Sequence, residues 1–200
     1  MVYDVIDDVL NKNDFNDISN IIMDNEDFLW SYCGDVEGKE FKDSSTANLF
    51  YMTHQLYYVM YQSLKDNVLD HVPVKDHYYD ALEPLTSILT QQGLKWWRIK
   101  CNLYPATETL REHAFHIDNK SSHVAAIFSL NSCDGYTRFE DGTKVDSVAN
   151  RLFFFDGGIP HSSTTTTNAP ARFNINFNFY HTERDINNIN TLKDNNSNSS

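Results

Sequence analysis

The sequence predicts an α+β fold, with antiparallel strands layered into two sheets and N-terminal helices packed on one of them. Three observations predict it. Apolar residues near the N-terminus, Val2, Val5, Ile6, Val9 and Leu10, recur at helical spacing. From position 96 to 180 the chain becomes a string of short apolar runs separated by turn residues. The last run alternates, with Phe173, Ile175, Phe177 and Phe179 at one parity and Arg172, Asn174, Asn176 and Asn178 at the other. Such alternation describes a strand with one packed apolar face and one polar face.

Each element follows from local chemistry. After the pattern at 2–10, a second short helical pattern runs through Phe15, Ile18, Ile21 and Ile22. Ser44, Ser45 and Thr46 offer an N-cap to a long helix expected over 47–72, which carries Leu49, Phe50, Met52, Leu56, Val59, Met60 and Leu64. A further helix is expected from about 76 to 92, stopped by Gly93. Pro84 inside it marks either a kink or a first turn. Strands are expected at 96–104, 123–131, 136–140, 150–156 and 171–180, separated by Asn131 to Gly135, by Asp141-Gly142 and by Asp156 to Pro160. Residues 1–93 are read as helical support and 94–183 as the strand core of the same domain. The Asn- and Ser-rich tail, 184–200, has too little apolar content to order.

The chemistry concentrates at His116-Ile117-Asp118, answered downstream by His161 and then Arg172. Residues i and i+2 of a strand project to one side, so His116 and Asp118 can chelate a single ion while Ile117 faces away. With His161 they make a 2-His-1-carboxylate set, which leaves open positions on the metal and suits non-haem Fe(II) oxygen chemistry. Arg172 supplies a fixed cation for the distal carboxylate of an acidic cosubstrate. His113 lies three residues before His116, at the wrong parity to share a face with Asp118. His54, His71 and His77 read as surface or packing residues, and His123 as structural or substrate-facing. Lys95, Arg98 and Lys100 read as one solvated face of their strand.

Over positions 96–180 the chain resembles the Fe(II)- and 2-oxoglutarate-dependent dioxygenases, specifically the prolyl-4-hydroxylase-like branch. The elements stand in family order: Asn102-Leu103-Tyr104-Pro105, His116-x-Asp118, the hairpin segment Asp134-Gly135-Tyr136-Thr137-Arg138-Phe139, a Phe-rich strand ending Asp156-Gly157, then His161 and Arg172. The resemblance implies a double-stranded β-helix, the jelly roll of cupin-like proteins, with the metal in the mouth between its sheets. It implies His116, Asp118 and His161 as iron ligands and Arg172 as the partner of the C5 carboxylate of 2-oxoglutarate. Tyr104 is implied as a residue lining the cosubstrate pocket. Asn102 and Asn174, on the polar parity, either hydrogen-bond the cosubstrate or are ordinary strand polarity. Fe(II), 2-oxoglutarate and O₂ are the implied cofactor and cosubstrates, and ascorbate is left open as an auxiliary. The implied reaction hydroxylates a C–H bond, of a peptidyl proline or another amino-acid side chain, and releases succinate and CO₂. The substrate is a peptide, a protein or a small molecule. The alternative is a cupin-like metal protein or enzyme that does not use 2-oxoglutarate.

Composition excludes several other classes. The net charge of −12 over 200 residues argues against nucleic acid as a partner, because such binding rests on clustered Lys and Arg. No apolar run is long enough to span a bilayer and no basic-then-apolar leader opens the chain, so a cytoplasmic location is expected. Three cysteines without paired spacing point to a reducing compartment. No glycine fingerprint for phosphates and no serine-nucleophile elbow is present. Oligomeric state is not legible.

Overall fold

The computed structural model describes residues 2–34, 49–63, 69–119 and 123–180. The expected tail at 184–200 and the capping residues Ser44, Ser45 and Thr46 lie outside the described residues. In chain order the elements are β1 (Val2–Ile6), α1 (Lys12–Met23), β2 (Ser31–Cys33), β3 (Tyr51–Ser63) and β4 (Leu69–Lys75). A 3₁₀ turn, Tyr79–Leu82, runs into α2 (Glu83–Gln91). Then come β5 (Trp96–Pro105), β6 (Val124–Ser129), β7 (Tyr136–Phe139), β8 (Lys144–Asp146), β9 (Arg151–Asp156), β10 (His161–Ser163) and β11 (Ala171–Phe179).

The strands form two antiparallel sheets. The larger has the order β1-β9-β6-β11-β5-β3-β2, with β4 paired to β3, and the smaller has the order β10-β7-β8. This two-layer jelly roll is the architecture the sequence predicts. The helices lie against one face of the large sheet. Ile18 and Ile22 of α1, with Leu85 and Leu89 of α2, share a core with Ile99, Phe128, Phe154, Ile175 and Phe177. A second core fills the gap between the sheets, where Ala125, Ile127, Phe153 and Phe155 meet Phe139 and Val145 of the small sheet. The triple Phe153-Phe154-Phe155 thus feeds both cores, because successive strand residues face opposite ways.

Local chemistry sets the helix ends. Asn11 caps α1, its side-chain oxygen accepting from the backbone N–H groups of Asn13 and Asp14. Pro84 sits in the first turn of α2 and does not kink it. Gly93 ends that helical stretch at φ +76°, a conformation that costs glycine little.

Two helical expectations are overturned. Residues 2–6 form β1, because they pair with β9, Val2 opposite Phe155 and then, after a register shift, Asp4 to Ile6 opposite Phe154 to Leu152. The helix expected over 47–72 is instead β3 and β4, an antiparallel pair whose first strand also pairs with β5. Its aromatic and β-branched residues favour a strand once a sheet partner is available. Pro73 is tolerated because β4 is an edge strand. No helix of the described residues is long and apolar enough to cross a membrane.

Candidate functional site

The polar face of β11 is buried rather than solvated. Arg172, Asn174, Asn176 and Asn178 are all nearly inaccessible, roofed by the small sheet and by the segment that carries His116 and Asp118. Register places their partners on β5 beside them: Tyr104 opposite Arg172, Asn102 opposite Asn174, Lys100 opposite Asn176 and Arg98 opposite Asn178. A narrow pocket opens above this floor, lined by Lys100, Asn102, Tyr104, His116, Asp118, Thr137, His161, Ser163, Asn174 and Asn176.

His116, Asp118 and His161 come together there, each offering one ligand atom, all within 4.8 Å of one another. The route differs from the expected strand. His116 makes a single β-bridge with His161, and Asp118 lies in a bend beyond it. The bridge is a fully hydrogen-bonded pair, each residue's N–H donating to the other's carbonyl at 2.9 Å. Residues directly opposite in such a pair project to the same side, so the imidazoles sit with ring centroids 4.6 Å apart.

The three groups are prepared as ligands. The Ile159 carbonyl lies 2.9 Å from Nδ1 of His161. A carbonyl only accepts, so Nδ1 carries the proton and Nε2 presents its lone pair. Burial, and then the neighbouring His161, push His116 down to about 4, which keeps it neutral and able to coordinate at neutral pH. Burial opposes ionisation of Asp118, but His161, Arg98, Lys100 and His116 together outweigh it and hold the carboxyl far below its ordinary range. Asp118 is also fixed in orientation. Its Oδ2 accepts from Nδ2 of Asn176 at 3.0 Å and of Asn178 at 2.8 Å, while Arg98 Nη2 approaches Oδ1 at 3.4 Å. Two imidazoles with one ionised carboxylate are a donor set that fits a divalent transition metal.

Arg172 occupies the far end of the floor. It is fully buried, donating from Nη1 to the Tyr136 carbonyl and from Nη2 to Thr137 Oγ1, both at 2.9 Å. Its Nε has no partner, and no carboxylate pairs with it among the described residues. A buried guanidinium without an anionic partner is costly, and two of the groups it touches, Tyr104 and Thr137, line the pocket. Gly135 makes the arrangement possible, since a Cβ there would stand 2.8 Å from Arg172 Cδ and from the Thr165 carbonyl oxygen. Tyr104 packs against the guanidinium, with 5.5 Å between Cζ and the ring centroid. Burial raises the Tyr104 hydroxyl's pKa, keeping it a neutral donor. Asn102 and Asn174 bond to each other at 2.9 Å and line the pocket between the two ends.

Other residues settle into clear places. His113 points away from the metal ligands, its Nδ1 3.2 Å from the Ser163 carbonyl oxygen. His123 is buried near Trp97 and Asn178. The solvated face expected for Lys95, Arg98 and Lys100 is corrected: Lys95 is exposed, but Arg98 and Lys100 are partly buried and belong to the site. Sequence reasoning also passed over Asn176, Asn178, Thr137 and Ser163. Parity with Arg172 and Asn174 marks the two asparagines, and parity with Asn102 and Tyr104 marks the two cations.

No protein-family model matches the sequence, and no curated protein matches it. Solved structures do. A prolyl hydroxylase from Trichoplax adhaerens, in complex with a hypoxia-inducible-factor oxygen degradation domain peptide fragment, superposes with TM-score 0.58 at 13% identity. The match covers 91% of this chain and 84% of that one. A prolyl-4-hydroxylase from Pseudomonas putida superposes with TM-score 0.52 at 17% identity, covering 89% and 92%. The chain has the prolyl-hydroxylase fold. At such identities the likeness extends to architecture, and the site speaks for itself through its own residues.

Proposed function

We propose that the protein is an Fe(II)- and 2-oxoglutarate-dependent dioxygenase that hydroxylates a C–H bond. The observation that carries this reading is a His-Asp-His ligand set in a pocket whose lining residues Tyr104 and Thr137 are backed by a buried, carboxylate-free Arg172. A metal hydrolase or isomerase has no use for the second feature, and a metal-free binding module has none for the first. His116, Asp118 and His161 hold the iron, which supplies O₂ activation and the coupled oxidation of 2-oxoglutarate to succinate and CO₂. Arg172 holds the C5 carboxylate, and Tyr104 packs beside it. Asn176, Asn178 and Arg98 keep Asp118 from rotating. Ile127, from the core between the sheets, supplies the pocket's apolar wall.

The substrate presents an aliphatic carbon to the metal, and a peptidyl proline or another amino-acid side chain is the preferred class. The peptide held by the Trichoplax enzyme supports that preference. The three cysteines are free, in keeping with a reducing, cytoplasmic setting. The test is anaerobic visible spectroscopy of the Fe(II)-reconstituted protein. A weak charge-transfer band is expected on adding 2-oxoglutarate, and it should vanish in Asp118→Ala. Tight Fe(II) binding without a band would replace the reading with a metal protein that does not use 2-oxoglutarate.

A further inference from the structure

The floor formed by β5 and β11 carries positive charge at both ends. Arg172 stands at one end, the Asn102–Asn174 pair in the middle, and Lys100 and Arg98 at the end beside Asp118. Arg98 is engaged there, its Nε donating to Asn178 Oδ1 at 2.7 Å and its Nη2 facing Asp118. Lys100 is not. Among the described residues it makes no hydrogen bond or ion pair; its Nζ lies 5.5 Å from the Tyr51 ring, and its charge acts on Asp118 only through space. Yet it lines the pocket together with His116 and Asp118. An ammonium in a pocket wall that makes no hydrogen bond to the protein keeps its donors free for a ligand.

Arg172 does not need Lys100's help. Lys100 lies four residues along β5 from Tyr104, the partner of Arg172, and at about 3.4 Å per residue the backbones at the two ends are roughly 14 Å apart. One carboxylate cannot reach both. We propose that Lys100 is a second carboxylate-binding residue of the pocket, seating at the metal end an anionic group distinct from the one Arg172 holds. The proposal deepens the dioxygenase reading and rests on it for the pocket's role as the reaction site. The carboxylate has two sources: the metal-proximal carboxylate of 2-oxoglutarate, or a carboxylate on the substrate. The second source would make the substrate an acid rather than a neutral side chain.

The experiment compares the full-length wild-type protein with Lys100→Met, which keeps length and loses charge, and Lys100→Arg, which keeps charge. Each is loaded with Mn(II) and titrated by calorimetry, first with 2-oxoglutarate and then, once saturated, with acetate. Lys100→Met is expected to lose about tenfold or more in affinity for one of the two probes, the scale of one charged hydrogen bond, while Lys100→Arg stays within a few-fold of wild type. A loss toward 2-oxoglutarate assigns Lys100 to the cosubstrate, and a loss toward acetate alone assigns it to the substrate. Affinities for both probes that do not depend on Lys100 overturn the proposal, as does Lys100→Arg behaving like Lys100→Met. If wild type binds Mn(II) but not 2-oxoglutarate, the dioxygenase reading fails. Acetate titration of the Mn(II) protein then tests Lys100 alone.

Discussion

Replacing Arg172 by methionine separates anchoring of the cosubstrate from everything else the pocket does. Methionine approximates the volume of the arginine stem, so the change avoids the large cavity that alanine would leave in a fully buried position. In the free protein two effects oppose each other. The Tyr136 carbonyl and Thr137 hydroxyl each lose a donor now at 2.9 Å, which costs about 1–3 kcal/mol for each group left unmet. Against that, an unpaired buried guanidinium disappears, and replacing buried charge by apolar volume is often neutral or stabilising by about 1–4 kcal/mol. The thermal midpoint of the ligand-free protein is therefore expected within a few degrees of wild type. Binding has no such compensation. A hydrogen bond to a charged group contributes about 1.5–3 kcal/mol, so 2-oxoglutarate should bind on the order of 10- to 150-fold more weakly, with iron affinity unchanged. The assay is anaerobic titration of the charge-transfer band with 2-oxoglutarate and with 2-oxopentanoate, which lacks the distal carboxylate. Wild type should discriminate between them strongly and Arg172→Met hardly at all. If the variant weakens both ligands by the same factor, Arg172 shapes the pocket without contacting the C5 carboxylate, and the anchoring role is refuted.

Two further outcomes follow from the site's surroundings. Asn178→Ala removes the shorter of the two amide bonds to Asp118 Oδ2 and should weaken metal binding about 10- to 100-fold, measured by competition against a chelator; unchanged affinity would show that Asn176 and Arg98 suffice. His113, buried against the Ser163 carbonyl and pushed down to about 4 chiefly by burial, is neutral in the fold but titrates near 6.5 when unfolded. Its contribution is complete above about 6.5 and is lost as pH falls toward 4, at about 1.4 kcal/mol per pH unit, some ~3 kcal/mol in all. Urea unfolding of the metal-free protein at pH 7 and pH 4.5 should show that loss, and His113→Gln should flatten it; equal pH slopes in the two proteins would refute the assignment.

The strand core was legible because its side chains repeat at period 2 with turn residues between them. The expected strand at 171–180 and the observed β11 differ by one residue, and the apolar parity read from Phe173 to Phe179 is the face that meets the helices. The N-terminal third was harder. Tyr57 and Val59 are half-buried while Tyr58 and Met60 are exposed, a strand alternation that begins after the register shift between Gln55 and Tyr57, but sequence spacing there also fits a helix. What decided the outcome was the free edge of β5, a tertiary partner that no local window contains. The ligand set was legible in identity but not in mechanism of assembly. His116 and Asp118 were expected to share a strand face. In the fold, a single bridge to His161 sets the first and the asparagines of β11 hold the second.

The cations of β5 were misread for an instructive reason. In a soluble protein a charged residue alternating with apolar ones ordinarily marks the wet side of a sheet, and Arg98 and Lys100 satisfied that rule in isolation, with Lys95 grouped beside them although it precedes β5 at the other parity and is exposed. The rule assumes that the polar face is open. Here the same parity carries Asn102 and Tyr104, and across the ladder it meets Arg172, Asn174, Asn176 and Asn178. A second sheet and the His116–Asp118 segment cover all of it. Once covered, every polar group on that face must find a partner within the pocket. Asp118 takes Arg98, Asn176 and Asn178. Arg172 and Lys100 are left with no carboxylate of the protein's own among the described residues. In an acidic chain of net charge −12, two cations without ion pairs, one beside the proposed ligand set and one at the far end of the floor, would favour small anions on the proposed reading. That preference would belong to the pocket and run opposite to the net charge of the chain.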